Sequence, residues 1–314
     1  MQVQFLLAKR PCVTQCQIRD IESHIGLDGI KVAGEANPTL RRRELGFLLR
    51  QLRLERRLSL EEAAEGLLFS TTKLSRLETG RSGAFQRDIR AVCQFYQVDP
   101  AECQRLMTLA REGKQRGWWQ EYALPYATYV GLEDQAASIS EYKSDIVSGL
   151  LQVEDYARAF LRAMEPPLDQ ATIERQVEAR VKRQAVLTKD NGPRFHCILD
   201  EAALRRPVGG PAVMRAQLER IIDRAGLGKV TFQLIPLGLG AHPGLESNFI
   251  VLDFETPMIN DVVYVEGLVG NIYLEDASDL QRYKHIFARL HSIALSPEES
   301  ISLVKRIAGT YRDI

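Results

Sequence analysis

The chain has 314 residues, 45% hydrophobic and 26% charged, with a formal net charge of zero, the make-up of an ordinary soluble globular protein of about two domains. No apolar run approaches the roughly 20 residues of a membrane-spanning helix. The stretch Phe5 to Ala8 is too short for a signal-peptide core and is followed, not preceded, by Lys9 and Arg10, so a cytoplasmic protein without membrane contact is expected. Five scattered cysteines (Cys12, Cys16, Cys93, Cys103 and Cys197) make no disulfide framework.

Residues 1–36 have weak periodicity and glycines at 26, 29 and 34. They read as an N-terminal extension, expected to be poorly ordered. Cys12 and Cys16 with His24 lack a fourth ligand at a metal-binding spacing, and neither a metal nor another cofactor is expected. The neutral total hides an asymmetry. Between Asn37 and Arg116 there are 16 basic and 10 acidic residues, and between Gly117 and Ile314 there are 21 and 27. A basic segment followed by an acidic one fits a nucleic-acid-binding head on a body that does not touch DNA, although charge scatter on two solvated surfaces gives the same difference.

From Leu40 the pattern is helical. Leu45, Leu48, Leu49, Leu52 and Leu58 form an apolar stripe, and Arg41, Arg42, Arg43, Arg50, Arg53 and Arg57 occupy other faces. Ser59 opens a second helix, with Glu62 placed to close a capping box. Ser70 is a good N-cap for a third helix, Thr71 to Glu78. Leu74 and Leu77 mark its buried side, leaving Thr71, Thr72, Ser75 and Arg76 to project outward. Gly80 stands where a helix-ending left-handed residue is wanted. Short polar side chains let the backbone approach base edges, and an arginine one turn later reaches guanine O6 and N7. Phe85 to Tyr96 and Pro100 to Gln115 complete a five-helix head, residues 37–116, with the boundary before Trp118-Trp119. A five-helix bundle that binds protein instead of DNA is the competing reading.

The run from Arg57 to Arg81, RLSLEEAAEGLLFSTTKLSRLETGR, resembles the Xre (Cro/lambda-repressor) helix-turn-helix. By position, the resemblance implies base contacts from Thr71, Thr72 and Arg76, and phosphate contacts at or near Ser70, Lys73 and Ser75, with Arg81 also on the DNA side. Two positions depart from the family. Leu60 replaces a usual phosphate-binding glutamine, and Leu68 stands in the turn where glycine is usual, so the turn must be built without its permissive residue.

In residues 117–314, helices are expected over Ile139 to Leu151, Val153 to Ala163, Asp169 to Thr188, Gly210 to Ala225, Asp276 to Ala294 and Pro297 to Ala308. Strands are expected over Phe195 to Leu199, Val230 to Ile235, Phe249 to Asp253 and Val262 to Val265. The fold class is therefore an all-helical helix-turn-helix head followed by a larger helical and mixed α/β domain. The strings LLQVEDYA (150–157), LDEAALRRPVGG (199–210), GAHPG (240–244) and VVYVE (262–266) resemble the domain of unknown function that follows an Xre head in many actinobacterial regulators, the WhiJ-like ones among them. Val153 departs from the threonine usual there. The resemblance implies transcriptional control and a frequent small protein partner encoded by an adjacent gene, but no known ligand.

Enzyme chemistry has little support. Gly209-Gly210 and the glycines around 238–244 fit no phosphate-loop spacing and read as turns. His242 lacks the lysine two residues later that a phospholipase-D-like half requires, since that position is Gly244. Asp200 and Glu201 are neighbours pointing to opposite faces, and capping suits them better than acid–base work. Trp118 and Trp119 with Tyr122, Tyr126 and Tyr129 line a ligand pocket or, more simply, pack a junction. Trp118, Trp119, Tyr142, Tyr156, Arg205 and His242 are the positions in the C-terminal domain assigned to a ligand or partner. The expected function is that of a transcriptional regulator, a repressor, bound to a double-stranded operator as a homodimer through helix 71–78 and controlled through its C-terminal domain. A protein-binding scaffold, or an enzyme with a DNA-targeting head, are the alternatives.

Overall fold

The computed structural model describes residues 37–164 and 166–311; the readings made above for residues 1–36, including Cys12, Cys16 and His24, lie outside them. The first half is five helices: α1 (Pro38–Glu55), α2 (Leu60–Gly66), α3 (Thr71–Glu78), α4 (Gln86–Phe95) and α5 (Pro100–Glu112). Their ends follow from capping side chains. Asn37 Oδ1 accepts from the Thr39 and Leu40 amides, Ser59 and Glu62 close a reciprocal capping box, and Asp99 caps α5. Leu45, Leu49, Leu74, Leu77, Ile89, Val92 and Leu106 meet in one apolar cluster that stays within this region.

After the 3₁₀ turn Trp118–Tyr122 come α6 (Ala127–Glu133), β1 (Ser138–Lys143), α7 (Glu154–Arg162), α8 (Gln170–Arg183), β2 (Arg194–Asp200), α9 (Glu201–Arg205), α10 (Pro211–Ala225), β3 (Val230–Ile235), β4 (Phe249–Asp253), β5 (Val262–Gly267), β6 (Gly270–Leu274), α11 (Ala277–Ile293) and α12 (Pro297–Thr310). The strands form one sheet in the order β3-β2-β1-β4-β5-β6. β1, β2 and β3 run parallel through helical crossovers, and β4, β5 and β6 continue antiparallel. Side chains alternate across the pleat. Ile139, Phe195, Cys197, Leu199, Phe232, Leu234, Ile250 and Leu252 face the larger core, which α10 and α12 cover. Tyr142, Ile198, Ile235, Phe249, Val251 and Val263 face the other way, against Phe287 and Leu290 of α11. Both faces are thus covered, as buried parallel strands require.

Two strands depart from the sequence reading. The segment expected to be a helix from Ile139 starts as the central strand β1 and continues in turns to Gln152. Its alternation is masked because Glu141 and Lys143, on the same face as Ile139, are charged yet buried. The edge strand β6 was not expected, having no buried residue to give it a period. Among the described residues no helix is long and apolar enough to cross a membrane.

Candidate nucleic-acid interface

The third helix is set by what lies behind it. Leu74, Leu77 and Glu78 are buried. Gly46 of α1 is the crossing point: a Cβ there would stand 2.6 Å from the carbonyl oxygens of both Leu77 and Glu78. Glu78 is fixed by Arg53, whose Nε and one Nη each donate at 2.8 Å to its two carboxylate oxygens. A further Arg53 N–H donates to the Leu58 carbonyl at 2.9 Å, tying the end of α1 into the same knot. A bidentate arginine–carboxylate pair fixes orientation as well as distance, so α3 is held in rotation and in register against α1.

Among the described residues the opposite side of α3 is open. Thr71, Thr72 and Arg76 are exposed and Ser75 is half-buried. Ser70 accepts from the Lys73 amide at 3.1 Å, capping the helix as its sequence requires. Lys73 is less available than a free ammonium. Its Nζ donates to Asp88 at 2.9 Å and lies 3.6 Å from the centre of the Phe69 ring, which links α3 to α4. Arg81 follows the helix-ending turn, where Gly80 has φ +65°, and is exposed. Among the described residues Arg76 and Arg81 make no ion pair. The turn between α2 and α3 is built as the sequence implies, with Leu68 itself in the left-handed region at φ 55° and 93% exposed.

Of the arginines on the first helix, Arg53 is committed to Glu78, Arg43 pairs with Glu275 at 2.9 Å, and Arg41 pairs with Glu44 and Glu112. Arg50 and Arg57 are exposed. The sequence gives no local sign of the Arg53–Glu78 pair, because its members are 25 residues apart; a glycine inside a leucine-rich helix was the one available hint of the α1–α3 crossing.

The six positions assigned to a ligand or partner in the C-terminal region do not converge. Trp119 is in the core, and Trp118 stands edge-on to it with Lys182 over its ring at 4.9 Å. Tyr156 is fully buried and its hydroxyl accepts from the Val147 amide at 3.3 Å. Arg205 is exposed and bridges to Glu201 within its own helix at 2.5 Å. Only Tyr142 and His242 meet, edge to face at 6.1 Å. The His242 ring is held between Asp200 at 3.2 Å and the Gly244 amide at 3.2 Å. Asp200 also caps α9 by accepting from the Ala202 amide at 2.8 Å, and Glu201 accepts from the Leu237 amide at 3.0 Å, so both acids hold backbone, as their adjacency suggested.

A charged cluster unmarked in the sequence lies under the sheet. Arg183 Nε stands 2.9 Å from Glu133, and the Tyr129 hydroxyl donates to the other Glu133 oxygen at 2.5 Å. Glu141, Lys143 and Arg180 complete it around a cavity of about 40 Å³, room for water and not for an organic ligand. Burial pushes the Glu133 carboxyl up to about 7, against the pull of Arg183 and Tyr129.

Five helices with an exposed polar third helix define a helix-turn-helix head, and residues 44–106 match the family described as Helix-turn-helix domain; the class is a helix-turn-helix DNA-binding regulator. Residues 126–306 match the family described as Domain of unknown function (DUF5753), and the chain belongs to that family. No curated protein and no solved structure matches the chain.

Proposed function

We propose that this regulator is a repressor that binds an operator by seating α3 in the major groove. The observation that carries the reading is the two-sided build of α3: Leu74, Leu77 and Glu78 are locked inward while Thr71, Thr72 and Arg76 are exposed. Thr71, Thr72 and Arg76 contact bases, and Ser70, Ser75 and Arg81 contact phosphates. Lys73 joins them as a phosphate contact only by sharing its ammonium with Asp88.

A single small head has limited specificity, so the working form is a homodimer on an inverted repeat, its half-sites about one helical turn apart. The fully exposed Leu268 and Val269 at the β5–β6 turn, beside the edge strand β6, support a protein contact made by the body. Control acts through the body, by a ligand or by a small partner protein. The Arg43–Glu275 ion pair and the Asn37 side-chain amide donating to the Gly131 carbonyl at 2.9 Å give the body a direct hold on α1.

Selection from a random duplex pool by the full-length protein tests this reading. An enriched inverted repeat with half-site centres about 34–36 Å apart is expected. Absence of any enriched sequence contradicts it.

A further inference from the structure

A groove of about 430 Å³ separates the end of α3 from the body, within the range of small-molecule sites, about 300–1,000 Å³. The head side carries Arg42, Arg43 and Arg81, and the body side carries Thr128, Asn271 and Tyr273. Among the described residues no acidic side chain lines it. Arg43 is neutralised by Glu275 just beyond the wall. Arg42 and Arg81 have no carboxylate partner among the described residues; the Arg42 Nε donates only to the Pro38 carbonyl of its own helix at 3.1 Å. Arg42 is half-buried, and desolvation disfavours its charged form. A guanidinium nevertheless stays charged in proteins, so the groove holds a partly desolvated cation without a counter-charge. On the same wall the buried Thr39 hydroxyl also lacks a partner among the described residues.

We propose that this groove binds a small organic phosphate. Guanidinium groups match phosphate oxygens in pairs, and Thr128 and Asn271 offer hydroxyl and amide groups from the opposite wall. Ile272 and Tyr273 supply apolar surface for the organic part. The C-terminal end of α3 opposes an anion, but with only about half a unit charge, against the two uncompensated guanidinium charges. The groove's floor includes Thr79, Gly80 and Arg81, the turn that ends α3. An occupant therefore touches the body and the base of the recognition helix at once, and engages the same Arg81 assigned above to a DNA phosphate. Occupancy and DNA binding are thereby linked; this regulatory half rests on the DNA-binding reading, and the phosphate site does not.

Calorimetric titration of the full-length protein with inorganic pyrophosphate, ADP and adenosine tests the site. Saturable binding of pyrophosphate and ADP with Kd below about 1 mM is expected, without binding of adenosine. Arg81→Ala and Thr128→Glu, which alter the two walls separately, should each weaken binding about tenfold or more. Thr128 is exposed in the first turn of α6, where a glutamate suits the helix, so that variant keeps its fold. In a duplex-binding assay, pyrophosphate should weaken wild-type affinity about fivefold or more beyond a sulfate control of equal ionic strength. Thr128→Glu, measured without anion, should already bind duplex more weakly than wild type, because its carboxylate draws on Arg81 as an occupant does, and pyrophosphate should weaken it no further.

Failure of both anions to saturate overturns the site, as does anion binding indifferent to both substitutions. If neither anion binds while both variants weaken duplex binding, the groove serves the DNA backbone and the proposal is wrong. Anion binding that leaves duplex affinity unchanged removes the link. A wild-type protein that binds pyrophosphate but no selected duplex removes the DNA reading and leaves the site standing.

Discussion

Arg53 holds both carboxylate oxygens of Glu78 at 2.8 Å, and both side chains are buried where α1 crosses α3. Removing one partner strands a buried charge. Arg53→Met is therefore expected to cost about 3–5 kcal/mol of unfolding free energy, read by urea denaturation. The double variant Arg53→Met/Glu78→Leu should recover most of that loss, because two apolar side chains of similar volume leave no charge unpaired and only the Leu58 carbonyl loses a donor. If the single variant is as stable as wild type, the pair does not hold the recognition helix.

The same crossing depends on Gly46. A methyl group there meets two backbone carbonyls at 2.6 Å, and backbone yields less readily than side chains. Gly46→Ala should lower stability by about 1–3 kcal/mol and weaken DNA binding through displacement of α3. Unchanged thermal stability would show that the helices have room to part.

Leu68 offers the opposite effect. It occupies the left-handed region at φ 55° and is 93% exposed, so its side chain contributes almost no packing to offset the backbone cost. Leu68→Gly should raise stability by about 1 kcal/mol, less whatever freedom glycine adds to the unfolded chain. A thermal midpoint that falls would mean that the leucine makes a contact in the working protein.

Glu133 carries a pH signature. Its folded carboxyl is raised to about 7 from an ordinary 4.5 by burial, so the folded state binds more protons than the unfolded chain between those values. Its contribution is fully present below pH 4.5 and is lost as pH rises towards about 7. The slope is at most about 1.4 kcal/mol per pH unit. The stability difference between wild type and Glu133→Gln, followed from pH 4.5 to 8, should change in that sense and level off above 7. A flat difference would show the carboxylate ionised throughout and satisfied by Arg183.

Much of this was legible where one residue acts on its neighbours. Ser59, Ser70 and Gly80 announced helix ends that the structure has, and the apolar runs at 195–199, 230–235 and 249–253 fell on strands. The head's five helices were readable from apolar spacing and capping residues. β1 was not, because the buried charges of Glu141 and Lys143 broke its apolar alternation; Glu141 accepts from the Ser148 hydroxyl in the turns after the strand, and Lys143 pairs with Glu266 of β5, far along the chain. The Arg53–Glu78 pair and the arginine-lined groove escaped for the same reason: each is made by the meeting of distant segments whose individual residues look like ordinary surface charges. The exposed side of α3 was legible as a pattern of short polar residues and an arginine opposite two leucines.

Binding-site selection repeated with Arg76→Ala tests the central claim most directly. The wild-type protein should enrich a defined sequence. The variant should enrich the same sequence with preference lost at one base pair of each half-site, corresponding to about 1–3 kcal/mol. An identical sequence preference in both proteins would contradict the assignment of α3 as the element that reads DNA.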